Sequence, residues 1–148
     1  QAVVARMGQK PEKLKPVSYN AAPKQTASER PAALLNPKKE LVGVDVFMAW
    51  PEVNPRKLAS LLQPLQGGAL KLTMMSNRGM KVWPDGAPET FMVDHLRCRF
   101  ASVSGDAVAH VEIANLLSRI AAAGLDFIKT ENLYTFDGQR GYSLAQGE

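Results

Sequence analysis

The sequence of 148 residues contains a single cysteine, Cys98, and no long apolar run. One cysteine excludes an intrachain disulfide and favours a reducing compartment such as the cytoplasm. The longest hydrophobic stretch, Leu41 to Trp50, is interrupted by Asp45. It is also much shorter than the ~20 residues that a membrane-spanning helix needs. The chain begins with Gln1, and its first residues are too polar for a secretory signal. We therefore expect a cytoplasmic fragment or processed chain without a membrane partner.

Aromatic residues are scarce in the first 40 positions, where Tyr19 is the only one, against nine in the remainder. The same segment carries eight Lys/Arg and three Asp/Glu, whereas the remainder carries ten and eleven. The net charge of +4 therefore comes from the N-terminal quarter of the chain. Five prolines in this quarter disfavour helices and central strands. The predicted organisation is the end of an upstream helix at 1–8, a linker at 9–40 and a globular domain at 41–148.

The hydrophobic pattern of residues 41–148 predicts the element order β-α-β-β-α-β. The predicted strands cover 41–50, 70–75, 90–103 and 125–136, and a short extended piece covers 80–83. Asn54-Pro55 begins the first helix, and Ser104-Gly105-Asp106 begins the second. This order is typical of the ferredoxin-like α+β sandwich, in which two helices cover one face of a four-stranded, mainly antiparallel sheet. The other face is then open to solvent or to a partner.

The third predicted strand alternates between two faces. The core side takes Leu96, Cys98 and Phe100, and the open side takes His95, Arg97 and Arg99. His95 and Cys98 therefore cannot bind one metal ion. No Ser or Cys nucleophile pattern surrounds His110, and the glycines lack the spacing of a phosphate-binding loop. We predict no catalytic, cofactor-binding or metal-binding residue in this chain.

The remaining candidates are polar residues on or near the open face. Arg97, Arg99 and Lys71 can form an anion patch. Alternatively, Glu131 pairs across the sheet with Arg97 or Arg99. RNA-binding sheets need exposed aromatics, and the open side of the third strand carries none, so we expect no nucleic-acid partner. The candidate interface or anion patch comprises Lys71, Asn77, Arg78, His95, Arg97, Arg99 and Glu131.

Several longer motifs of the chain resemble one protein family. They include Leu41-Val42-Gly43-Val44-Asp45-Val46-Phe47, Ser76-Asn77-Arg78-Gly79, Asp94-His95-x-Arg97-Cys98-Arg99-Phe100 and Lys129-Thr130-Glu131-Asn132-Leu133-Tyr134. Together they are similar to the C-terminal domain of the long-form, Thermus- and Rickettsia-type bacterial NADP-dependent isocitrate dehydrogenases. The opening Ala2-Val3-Val4-Ala5-Arg6-Met7-Gly8 resembles the end of the last helix of that family's catalytic domain.

The resemblance implies a parent enzyme of the tricarboxylic acid cycle that converts isocitrate to 2-oxoglutarate and CO₂ with NADP and Mg²⁺ or Mn²⁺. The family's substrate, metal and cofactor residues lie upstream, and none is carried onto this chain. The implied role is therefore a non-catalytic assembly domain, for oligomerisation, stability or regulation, whose partners are the upstream catalytic domain and other copies. Two alternatives stay open. One is a small-molecule effector domain with Arg97, Arg99, Asn77 and Arg78 as anion contacts, and the other is nucleic-acid binding through the basic linker.

Overall fold

The computed structural model describes residues 4–9, 36–86 and 89–148. The chain divides into two compact units, Gln1–Asn36 and Pro37–Glu148. The described part of the first unit is a single 3₁₀ turn, Val4–Arg6, followed by Gly8 at a φ of +84°. Most of the proline-rich segment predicted as a linker lies outside the described residues.

The second unit contains six strands and two α-helices among its described residues. They are β1 Lys39–Ala49, α1 Pro55–Leu62, β2 Leu70–Asn77, β3 Met80–Trp83, β4 His95–Ser102, α2 His110–Ala122, β5 Phe127–Phe136 and β6 Gln139–Arg140. The strands form one sheet in the order β3-β2-β4-β1-β5-β6, and every neighbouring pair is antiparallel. The predicted mixture of two helices with an antiparallel sheet is confirmed.

The sheet is larger than the predicted four-stranded ferredoxin-like sandwich, because a short strand is added at each edge. Arg78 and Gly79, at φ values of 51° and 83°, reverse the chain after β2 and pair β3 with it. Asp137 and Gly138, at 50° and 76°, do the same between β5 and β6. Positive φ at both positions is typical of the tight hairpin turns that match strand twist. The prediction of a simple four-stranded sandwich is therefore wrong.

Helix α1 begins as the sequence predicts. The Asn54 side chain accepts a hydrogen bond from the Lys57 amide at 3.1 Å, and proline occupies the first helical position. Leu58 and Leu62 are fully buried. Leu61, which the periodicity assigns to the same apolar face, is 43% exposed, so the buried stripe is narrower than predicted.

Both helices and one face of the central strands contribute to a single hydrophobic core. Helix α2 begins at His110, later than the predicted start at Asp106. The core residues exposed by at most 1% on the central strands are Val44, Val46, Met48, Leu96, Cys98 and Phe100. The prediction that Leu96, Cys98 and Phe100 face the core is therefore confirmed.

Strand β4 begins at His95, although the sequence predicts a strand from Thr90. The Asn77 side chain accounts for the late start. Its amide nitrogen donates to the carbonyls of Val93 at 2.7 Å and His95 at 3.1 Å, and its oxygen accepts from the Val93 amide at 3.0 Å. These side-chain hydrogen bonds take the place of backbone strand pairing just before β4. Asn77 is thus a structural residue, 1% exposed, rather than a surface contact.

Candidate functional site

The second face of the sheet carries a buried ion pair between β1 and β4. Asp45 lies opposite Arg99 in the strand register. The Nε and Nη2 atoms of Arg99 donate to the two carboxylate oxygens of Asp45, both at 2.8 Å. Each residue is only 2% exposed. A charge at this depth needs such a partner, because burial without one is strongly unfavourable.

The C-terminal segment after β6 supplies the remaining partners of Arg99. Its Nη1 donates to Glu148 Oε1 at 2.6 Å, and its Nη2 donates to the Ser143 carbonyl at 2.9 Å. Glu148 Oε2 accepts in turn from the Ala145 amide at 2.8 Å. The Tyr142 ring lies with its centroid 4.8 Å from Arg99 Cζ. Arg99 is therefore enclosed by the chain itself.

The same segment, residues 141–148, continues to the β3 edge of the sheet. The Lys81 amide donates to the Gln146 carbonyl at 3.0 Å, and the Gln146 amide donates to the Gly79 carbonyl at 2.8 Å. We call residues 141–148 the C-terminal strap. The strap covers Arg99, so the prediction of an entirely open second face is wrong at this position. Arg99 is not available as a surface contact for an anion or a partner.

Burial and charge act in opposite directions on Arg99. Burial disfavours the charged guanidinium, but the hydrogen bonds and negative charge of Asp45, followed by those of Glu148, outweigh it and raise the pKa of Arg99 above its usual value. Arg99 therefore stays positively charged and cannot act as a general acid or a general base. On the opposite face, burial, with a smaller contribution from Asp45, raises the pKa of the Cys98 thiol far above its usual value. Such a thiol is unreactive.

Arg97 lies beside this ion pair and is less enclosed. Its Nε donates to Ser76 Oγ at 2.9 Å, and its Nη1 is 3.7 Å from Asp45 Oδ2. Its Nη2 is buried and has no hydrogen-bond partner among the described residues. The side chain is 15% exposed. An open pocket of about 250 Å³ is lined by Phe47, Ser76, Arg78, Gly79, His95 and Arg97.

This pocket brings together three of the seven candidate residues, Arg78, His95 and Arg97. Lys71 is exposed on β2, five positions before Ser76. Glu131 does not pair with Arg97 or Arg99, as one hypothesis had it, but with Lys129 on its own strand. The reason is that Asp45 lies between Glu131 and Arg99 in the register of the sheet. The candidates therefore do not form one patch.

The second face remains uncovered by described residues along a row that crosses three strands. The Phe47 ring lies 5.6 Å from the His95 ring, and Lys129 Nζ lies 4.2 Å from the Phe47 ring centroid. Lys129 also pairs with Glu131, and both are about half exposed. We call Phe47, His95, Lys129 and Glu131 the Phe47 row.

Sequence reasoning missed Asp45, Glu148 and Phe47. The sequence contains a usable signal for Asp45. Asp45 is a lone charge within an otherwise hydrophobic strand, and a charge in a buried strand needs a buried partner. Glu148 had no local signal, because its contact with Arg99 spans 49 residues.

The described part of the chain contains no group of three or more His, Cys, Asp or Glu side chains that could hold a metal ion. Among the helices of that part, none is long and apolar enough to cross a membrane.

Comparisons with known proteins agree with each other. The family model of the bacterial isocitrate dehydrogenase C-terminal domain matches residues 39–148. "Isocitrate dehydrogenase [NADP]" of Rickettsia bellii is 39% identical over the whole chain, and that of Thermus thermophilus is 34% identical. The chain spans only 31% and 30% of these relatives. A crystal structure of a Thermus thermophilus protein superposes with a TM-score of 0.72 at 33% identity, covering 99% of this chain and 30% of that one.

Proposed function

Because this chain belongs to the family of bacterial isocitrate dehydrogenase C-terminal domains, we propose that it is a non-catalytic assembly domain of an NADP-dependent isocitrate dehydrogenase. In this proposal the conversion of isocitrate to 2-oxoglutarate and CO₂ takes place in the upstream part of a cytoplasmic polypeptide. NADP and Mg²⁺ or Mn²⁺ belong to that part as well. Residues 1–8 end its last helix, residues 9–40 form the linker, and residues 41–148 associate with other copies.

The observation that carries this proposal is the unequal covering of the second sheet face. The strap covers the face at Arg99, whereas the described residues leave the Phe47 row uncovered. An aromatic ring flanked by exposed charges on a rigid sheet offers both apolar area and charge for association. The buried Asp45–Arg99 pair supports this surface, because it joins β1 to β4 directly beside the row.

Sedimentation velocity of the 148-residue chain tests the proposal over a concentration series from low to high micromolar. We expect a reversible increase in sedimentation coefficient that fits self-association. A strict monomer at the highest concentration would overturn the assembly role.

A second candidate function is the binding of a small anionic effector. It is favoured by one observation: Arg97, Arg78 and His95 line the same pocket, and one Arg97 nitrogen lacks a partner among the described residues. Arginine pairs of this kind bind carboxylates and phosphates. Calorimetry with a panel of carboxylates and nucleotides tests it, with Arg97→Gln as the comparison. Heat that disappears in the variant supports the site, and no heat with any ligand ends the idea. The nucleic-acid alternative depends on the basic linker, most of which lies outside the described residues.

A further inference from the structure

One long edge of strand β5 has no partner among the described residues. Strand β6 pairs only with Thr135 and Phe136 at the end of β5. From Phe127 to Leu133 the other edge of β5 pairs with β1, but nothing in the described ranges pairs with this one. Unpaired edges of this length are normally blocked or occupied, because they present a row of free amide and carbonyl groups.

The direction of these backbone groups follows from a hydrogen bond near the end of the strand. The Gly141 amide donates to the Tyr134 carbonyl at 2.9 Å, so Tyr134 directs its carbonyl towards the β6 side. Because residues alternate along a strand, Asn132 and Thr130 direct their amide and carbonyl groups to the same side. At the register shift between Tyr134 and Leu133 the extra residue, Val42, lies on β1, and the register is regular from Leu133 to Lys129, so the alternation along β5 is continuous.

This part of β5 is also the least covered strand of the central sheet. Residues 128–132 are all exposed, whereas Leu133 is 2% exposed. Ile128 is 57% exposed, which is unusual for an isoleucine on a strand of a packed sheet. The strand therefore extends beyond the region that the helices and the strap cover.

The charges on the edge are self-complementary. Lys129 and Glu131 flank Thr130 and lie on the same side of the sheet. In an antiparallel pair of two identical strands related by a two-fold axis at Thr130, position 129 of one copy faces position 131 of the other. Lys129 then meets the partner's Glu131, and the reverse pair forms by symmetry.

We propose that a second copy of this chain adds to the β5 edge, antiparallel and centred on Thr130, so that two sheets become one. The inference rests on the proposed assembly function and places the contact at the edge of β5, where Lys129 and Glu131 end the Phe47 row. The Thr130 amide donates to the carbonyl of the partner's Thr130, and the reciprocal bond forms at the same time. The two Lys129–Glu131 ion pairs select this register, because a slip along the strand separates the opposite charges.

Charge exchange at these two positions tests the inference. We expect Lys129→Glu and Glu131→Lys, each alone, to weaken self-association at least ten-fold in sedimentation velocity, because like charges then face each other twice. An equimolar mixture of the two single variants is expected to associate again as a heterodimer. The double variant, K129E with E131K, is expected to recover self-association in the same way.

Lys57→Glu is the matched control. It reverses the charge of Lys57, which lies on helix α1 away from the edge, and breaks the exposed ion pair between Lys57 and Glu52. Thr130→Pro is a second test, since proline removes the outward amide but no bond to β1. Thermal melts followed by circular dichroism verify that each variant is folded, and the mixing experiment is interpreted from the folded variants.

The outcomes distinguish the β5 pairing from the assembly role. A wild-type chain that associates but is insensitive to all charge exchanges overturns the β5 pairing and leaves the assembly role intact. A wild-type chain that stays monomeric overturns both. Association that fails in the single variants and returns in the mixture supports the pairing.

Discussion

Arg99 and Asp45 form a doubly hydrogen-bonded ion pair, with both nitrogen–oxygen distances at 2.8 Å and both residues 2% exposed. The pair joins β1 to β4, and through Glu148 it also holds the C-terminal strap. One buried guanidinium thus links two central strands to the end of the described chain. The energetic role of this pair can be measured.

Replacing Asp45 with Asn leaves Arg99 charged and buried with only Glu148 as an anionic partner. We expect a loss of about 3–5 kcal/mol in the free energy of unfolding, because breaking a buried pair leaves an uncompensated charge. Urea denaturation measures the loss. The control is Glu52→Gln, which breaks an exposed ion pair with Lys57 and is expected to cost under about 1 kcal/mol. Equal losses for the two variants would contradict the structural role of the pair.

The strap is expected to loosen when Glu148 loses its charge. In Glu148→Gln the contact with Arg99 weakens, and the backbone bonds at Lys81 and Gln146 lose their anchor. Hydrogen exchange of these two amides is expected to accelerate about ten-fold, which corresponds to about 1.4 kcal/mol. The amide of Val46, in the centre of the sheet, is the internal control and should be unchanged. Unchanged exchange at Lys81 and Gln146 would show that Glu148 does not hold the strap.

Gly43 is expected to tolerate no side chain. A Cβ at this position would lie 2.3 Å from the Phe100 carbonyl oxygen and 2.9 Å from Ala101 Cα. Gly43→Ala therefore forces β1 away from β4 and should cost about 1–3 kcal/mol in urea denaturation. Gly79→Ala provides the comparison, because nothing lies within 4 Å of its Cβ and only its positive φ opposes the change. The cost there should be about 1–2 kcal/mol and should come from backbone strain alone. A neutral Gly43→Ala would contradict the close approach of the two strands.

We expect the Cys98 thiol to lower the free energy of unfolding at alkaline pH. Its pKa is raised in the folded chain, mainly by burial, above the usual value of 9.0 that the unfolded chain keeps. Below pH 9 both states hold the proton, and the thiol adds no pH dependence. Above it, only the unfolded state releases the proton, so stability falls by up to about 1.4 kcal/mol per pH unit.

The measurement compares wild type with Cys98→Ala between pH 7 and 10.5. The stability advantage of wild type is expected to shrink above pH 9, because the alanine variant lacks the ionising group. A constant difference across this range would contradict a buried, neutral thiol.

The sequence predicts the parts of this fold that depend on local pattern. The alternation from Leu96 to Phe100 identifies the core side of β4, and Asn54-Pro55 gives the start of α1. Edge strand β3, Met80–Trp83, coincides with the predicted extended piece, whereas edge strand β6 was not predicted, because it has only two residues and its pairing depends on a tight turn. Two residues are too few for a periodic signal.

The arrangement of the second face could not be predicted from local pattern. Asp45 and Arg99 are 54 residues apart, and Glu148 reaches Arg99 across 49. The alternation correctly placed Arg97 and Arg99 on the same face but did not show that the chain's own terminus covers one of them. Nor did it show that Asp45 would separate Glu131 from Arg99. Such contacts depend on strand register, which local spacing does not specify.

Cross-linking at Thr130 tests the central claim, the pairing of two copies at the β5 edge, most directly. In the proposed dimer the two Thr130 Cα atoms form a hydrogen-bonded antiparallel pair about 5.5 Å apart, a distance that a disulfide can span. The native Cys98 is fully buried and does not compete. Under mild oxidation Thr130→Cys is expected to form a covalent dimer much faster than Lys71→Cys, an exposed control position on β2. Equal rates for the two variants would contradict the pairing.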